Sequence, residues 1–182
     1  MAKEFNRALA ICRLDKAQIV DVSRDQGATK WGVFILSLPF VVQFLLAYYL
    51  FPNGLSSIFT EVLFWPILIS LVSIFVTIFF LSFVAGKFFA AKKGYVGFFR
   101  VISYASIVYW LGSVVLLIDA FLLSGFVKIA ALVNFISTIA ILFIAFEVIV
   151  DLKKISVGKT FCLLAIGFVF KFLLSYSFSL AI

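Results

Sequence analysis

The chain has no histidine, one methionine, two cysteines and three prolines, and eight of its 182 residues are acidic. Without histidine it lacks the side chain that titrates near neutral pH and is the commonest metal ligand. Cys12 and Cys162 are too few for a disulfide scaffold, and both fall on or near a cytoplasmic face where thiols stay reduced. Charged residues make up 13% and apolar residues 65% of the chain, against about a quarter and a half in soluble domains. This balance excludes a soluble globular domain, and the abundance of large apolar side chains excludes disorder. No Gly-x-Ser-x-Gly elbow, phosphate loop or dinucleotide fingerprint is present. Four carboxylates, Glu4, Asp15, Asp21 and Asp25, lie in the polar N-terminal segment. Of the others, Glu147 and Asp151 read as a rim ion-paired with Lys153 and Lys154. The chain is expected to be non-enzymatic, with no metal and no cofactor.

Long uncharged runs are what the sequence has instead. A helix needs ~20 apolar residues to cross ~30 Å of hydrocarbon, and five runs meet that length. They lie at about 31–51, 62–84, 101–123, 127–150 and 160–181. Backbone polar groups in lipid must be satisfied internally, so these runs are expected to be helices. The predicted fold class is all-α: a polytopic membrane protein, a bundle of five transmembrane helices. Residues 1–30 form a separate cytoplasmic amphipathic segment. They carry a charge every few positions, so no apolar signal-peptide core precedes the first run, which is expected to act as its own insertion signal.

The net charge of +7 has a topological origin. Six cations (Lys3, Arg7, Arg13, Lys16, Arg24, Lys30) precede the first run. Lys87, Lys92, Lys93 and Arg100 flank the second connection, and Lys153, Lys154 and Lys159 the fourth. These thirteen all lie on one side, against Lys128 on the other, which predicts a cytoplasmic N-terminus and an external C-terminus. A multi-pass protein of the cell membrane is expected, or of an endomembrane in a eukaryote. The same placement argues against nucleic-acid binding, because retention of cationic loops on the cytoplasmic side already accounts for it. Lys87, Lys92, Lys93, Arg100, Lys153, Lys154 and Lys159 form a candidate face for anionic lipid.

Within the N-terminal segment, Phe5, Leu9 and Cys12 fall near one face of a helix, and Asp15 is placed to cap a second helix over 16–24. Such pieces next to a span usually lie in the membrane interface, and docking of a protein partner is the functional alternative. Cys12 reads as a small apolar filler, with palmitoylation as its functional alternative. Lys92-Lys93-Gly94-Tyr95-Val96-Gly97 and Lys153-Lys154-Ile155-Ser156-Val157-Gly158 share one pattern, which chance and basic membrane flanks supply; the alternative is the trace of a duplicated helical hairpin.

Polar residues at membrane depth are the functional candidates. Lys171 lies near the middle of the fifth run, with Ser175 one turn further on the same face. It is expected to face the interior and meet Asn134, Ser137, Thr138 or the Asp119 side. Ser70, Ser73 and Thr77 make a similar stripe in the second run. Such stripes most often pack helices together; the alternative is a polar path, in a small transporter or channel subunit.

The stretch Leu14-Asp15-Lys16-Ala17-Gln18-Ile19, the third-run segment Phe98-Phe99-Arg100-Val101 with Ser103-Tyr104-Ala105, and Phe146-Glu147 through Lys154-Ile155-Ser156 to Gly158-Lys159 resemble the Yip family of five-span proteins. Val108 stands where that family often has a proline, and the long polar arm of eukaryotic members is missing. The resemblance implies a cytosolic N-terminus and non-enzymatic work in membrane organisation, trafficking or scaffolding. For eukaryotic members it also implies work with Rab-type GTPases. Apart from the resemblance, the lipid bilayer is the expected partner, with a protein partner or a homo-oligomer as the alternatives.

Overall fold

A computed structural model of the chain describes residues 1–50, 65–89, 95–122 and 127–180. Every regular element among them is helical, with no strand. In order they are α1 (Ala2–Cys12), α2 (Lys16–Arg24), α3 (Ala28–Leu50), α4 (Trp65–Phe89), α5 (Tyr95–Ala105), α6 (Tyr109–Leu122), α7 (Val127–Lys153) and α8 (Val157–Leu180). A single 3₁₀ turn, Ser106–Val108, joins α5 to α6.

Among the described residues three stretches are long and apolar enough to cross a membrane: Ala28–Leu46, Leu71–Phe88 and Tyr95–Val115. Their outer faces carry large apolar side chains at helical spacing, such as Val72, Val76, Phe79 and Phe83 on α4. α7 exposes Leu132, Ile136, Ile139 and Phe143 in the same way. Apolar surface on this scale fits contact with lipid and not with water.

α5 is the hub. Phe98, Val101, Tyr104 and Ala105 are fully or almost fully buried, and α1, α2, α3, α4 and α7 all pack against it. The N-terminal pair belongs to this core, since Ala8, Ile11, Ile19 and Val22 are buried against it while Phe5 and Leu9 stay exposed. α1 ends with Leu14 in the left-handed region (φ 61°). There the Leu14 and Asp15 N–H groups donate back to the Ile11 and Ala10 carbonyls. Asp15 then caps α2, its carboxylate accepting from the N–H groups of Ala17 and Gln18.

The third run differs from an uninterrupted span over about 101–123. Its helix begins at Tyr95 and is broken at Ser106–Val108, where the Ser106 hydroxyl donates to the Ser103 carbonyl at 2.5 Å. A serine that bonds its own turn competes with the backbone ladder and tightens the helix locally. α4 likewise runs past Lys87 to Phe89. The start of the expected second run, with Glu61, lies outside the described residues.

Two close contacts fix helix positions. α3 contains Pro39, which has no N–H to offer the carbonyl of Ile35. The Trp110 indole N–H donates to that carbonyl at 3.0 Å, pinning α6 to α3. On α8, a Cβ added to Gly167 would come within 2.3 Å of the Leu81 side chain, so α8 sits closer to α4 than any larger residue permits without Leu81 moving.

Candidate functional site

The polar groups of the described structure gather in two places. The first is a clamp that holds α1 and α2 to the bundle. Arg7 Nη1 donates to Asp25 Oδ2 at 2.8 Å and Nη2 to Asp21 Oδ2 at 2.6 Å, with Glu4 Oε2 at 3.3 Å. Tyr104, fully buried on α5, donates its hydroxyl to Glu4 Oε2 at 2.5 Å. Arg7 and Glu4 are largely withdrawn from solvent, with side-chain exposures of 11% and 14%. Hydrogen bonding to Asp25, and then to Glu4 and Asp21, holds the guanidinium charged well above its ordinary range. Asp25, paired with Arg7 and accepting the Gly27 N–H, is held below the usual carboxylate value of 3.8.

Arg100 belongs to the same region. Its Nε donates to Thr29 Oγ1 at 2.7 Å and its Nη1 to the Ser23 carbonyl at 3.1 Å, tying α5 to the α2–α3 junction. Cys12 points its thiol at the Ala105 carbonyl, and burial pushes it up to about 11. A thiol kept neutral in this way is a poor nucleophile, which argues for the filler reading over acylation.

The candidate lipid-binding cations separate on this basis. Arg100 is engaged in packing. Lys154 and Lys159 are exposed, and Lys87 stands 5.7 Å and 5.6 Å from the rings of Phe83 and Phe88. Lys92 and Lys93 lie outside the described residues, as does the side chain of Lys153. Of the expected rim of Glu147 and Asp151 with Lys153 and Lys154, the Lys153 side chain lies outside the described residues. Asp151 pairs with Lys16 of α2 at 3.0 Å, and Lys154 forms no ion pair among the described residues. Lys154 follows the end of α7 in the left-handed region (φ 56°).

The second polar place is a cavity of about 280 Å³ between α3, α4, α5, α6, α7 and α8. Its walls are mostly Leu, Ile and Phe, interrupted by the hydroxyls of Thr77, Ser106, Tyr109 and Thr138. Thr77 donates to the Ser73 carbonyl at 2.6 Å, and Tyr109 and Thr138 are hydrogen-bonded to each other.

Of the sequence-predicted intramembrane residues, Thr138 lines this cavity. Ser137 is buried beside it and donates to the Val108 carbonyl at 3.2 Å, a packing contact between α7 and the 3₁₀ turn. The side chains of Lys171, Asp119, Asn134 and Ser175 lie outside the described residues. Sequence reasoning missed the Tyr104–Glu4–Arg7 clamp and the Trp110 pin. The second left a trace, since a proline inside an uncharged run frees the carbonyl four residues before it.

Comparison with known protein families, with curated proteins and with solved structures finds no match for this chain.

Proposed function

We propose that the chain is a non-enzymatic integral membrane protein of five spans, of the Yip type, that organises membrane through a basic cytoplasmic end. The observation that carries this reading is where the cation-bearing segments sit. Lys16 of α2 meets Asp151 at the end of α7, and Arg100 near the start of α5 bonds the α2–α3 junction. The N-terminal hairpin, the start of α5 and the α7–α8 connection therefore share one end of the bundle. Concentration of cations at one end is what retention on the cytoplasmic side produces. α7 and α8, at 27 and 24 residues, measure about 40 and 36 Å at 1.5 Å per residue, enough to cross as fourth and fifth spans. Exposure of Lys154 and Lys159 supports contact with anionic headgroups, and in this reading the exposed side of α1–α2 meets a protein partner or a second copy.

Reporter tags at the two ends test the topology. A cytoplasmic N-terminal tag and an external C-terminal tag are expected; both tags on one side overturn the five-span reading.

A second reading, a small transporter or channel subunit, is favoured by the position of Lys171. In the sequence it follows Gly167, which lines the cavity, by four residues of α8. In this reading Lys171→Leu folds normally and abolishes transport, and a Lys171→Met variant with every activity intact assigns the residue to packing.

A further inference from the structure

We propose that the cavity at the centre of the bundle is a binding site for a neutral single-chain lipid, with the lipid's hydroxyl seated among Thr77, Ser106, Tyr109 and Thr138. Its volume of about 280 Å³ approaches twice the ~150 Å³ at which an apolar void stays dry and takes up a ring as large as benzene. Among the described residues the lining is apolar apart from these four hydroxyls, which suits an acyl chain carrying a neutral polar end.

The hydroxyls define the polar end of the ligand. Thr77 and Ser106 donate to the Ser73 and Ser103 carbonyls of their own helices. A hydroxyl that donates keeps its lone pairs as acceptors, so these two residues are prepared to receive a hydrogen bond. A ligand alcohol donates one and, being an acceptor too, also suits a hydroxyl neighbour. A bare alkane leaves the cluster unanswered, and a carboxylate brings a charge into an apolar wall.

The route of entry is sideways. Leu142 of α7 and Phe168 of α8 line the cavity and are 37% and 62% exposed. With α7 and α8 as the fourth and fifth spans of the proposed topology, a molecule entering between them comes from the bilayer. Gly167 and Leu81 both line the cavity, and a Cβ added at 167 would come within 2.3 Å of the Leu81 side chain, so Leu81 would have to shift within that lining.

The proposal needs the bundle to sit in a membrane, which the terminal tags test separately, so loss of binding with correct tag topology counts against the site alone. The full chain in phosphatidylcholine nanodiscs is photolabelled with a diazirine-bearing long-chain primary alcohol, its matching alkane and its matching carboxylic acid, and adducts are mapped by mass spectrometry. Adducts on the cavity-facing residues of α4, α7 and α8 are expected, with the alcohol labelling about tenfold more than the alkane, as one well-made hydrogen bond provides. Leu142→Trp at the mouth and Gly167→Ala should each lower cavity labelling severalfold. The Thr77→Val, Ser106→Ala double variant should label equally with alcohol and alkane. Leu142 is a surface position, so its variant remains informative where Gly167→Ala fails to fold. Adducts confined to outward residues such as Phe79, Ile118 and Val169, cavity labelling unchanged in Leu142→Trp, or acid labelling above alcohol would each overturn the proposal.

Discussion

Arg7 shows how one residue decides the fate of a whole segment. It is the single cation among Glu4, Asp21 and Asp25, and its removal leaves Glu4, mostly withdrawn from water, facing Tyr104 alone. Hydrogen bonds to charged groups contribute about 1.5–3 kcal/mol, discounted here because Asp21 is half exposed. Arg7→Gln is expected to weaken docking of α1 by about 2 kcal/mol, read as faster amide exchange over residues 2–12 with α3 unchanged. Equal exchange in variant and parent would show that apolar burial of Ala8 and Ile11 suffices. The same clamp has a pH dependence with a definite sign. Asp25 is held below 3.8 when folded, so its contribution is complete above that value and is lost as pH falls through the lower, folded one. Spin labels on the exposed Asn6 and Ser156 should keep their separation at neutral pH and broaden on the acid side of 3.8. A separation that never changes would mean that the carboxylates hold nothing.

At the scale of elements, the most testable contact is the one between Pro39 and Trp110. In lipid an orphan carbonyl finds no water, so the indole N–H that reaches Ile35 answers a need created by the proline. Trp110→Phe is therefore expected to cost about 2 kcal/mol beyond its packing loss, since it leaves a buried acceptor unmade. In a Pro39→Ala background the residue at 39 regains its N–H, the carbonyl is answered within α3, and the same substitution should cost much less. A double-mutant cycle in unfolding experiments measures the difference; additive effects would dissolve the link. This contact also marks how far the sequence is legible. Helix existence followed from uncharged length, because lipid leaves a long apolar run no other way to satisfy its backbone. The break at Ser106–Val108 did not follow, because it depends on a serine bonding its own turn and on Trp110 being drawn to another helix. Asp15 as a cap was readable because capping is local in sequence. The Glu4–Tyr104 bond spans 100 residues and no periodicity announces it. Thr138 was recognised as an interior polar residue, yet the apolar character of the cavity around it comes from six helices together and from none alone.

For the whole molecule, the question is which cations serve the membrane and which serve the fold. The sequence treats Lys87, Arg100, Lys154 and Lys159 alike, because charge counting sees position along the chain and not what a side chain already touches. In the folded chain Arg100 is engaged with Thr29 and Ser23, while Lys154 and Lys159 are exposed. Lys87 rests near the rings of Phe83 and Phe88. Near an anionic leaflet each available cation contributes about 1 kcal/mol, so removing three weakens retention by up to about a hundredfold at low salt. Lys87→Gln, Lys154→Gln and Lys159→Gln combined should therefore lower retention of anionic lipid by purified protein while leaving the melting temperature within a few degrees. Arg100→Gln should do the reverse: it strands the Ser23 carbonyl and the Thr29 hydroxyl, loosens the α2–α3 junction and lowers the melting temperature with little effect on lipid per folded molecule. Raising salt separates the two further, since screening acts on exposed charge and hardly on a half-buried hydrogen bond. Should the triple lysine variant keep its lipid at low salt, the cations of this face set topology and do nothing more.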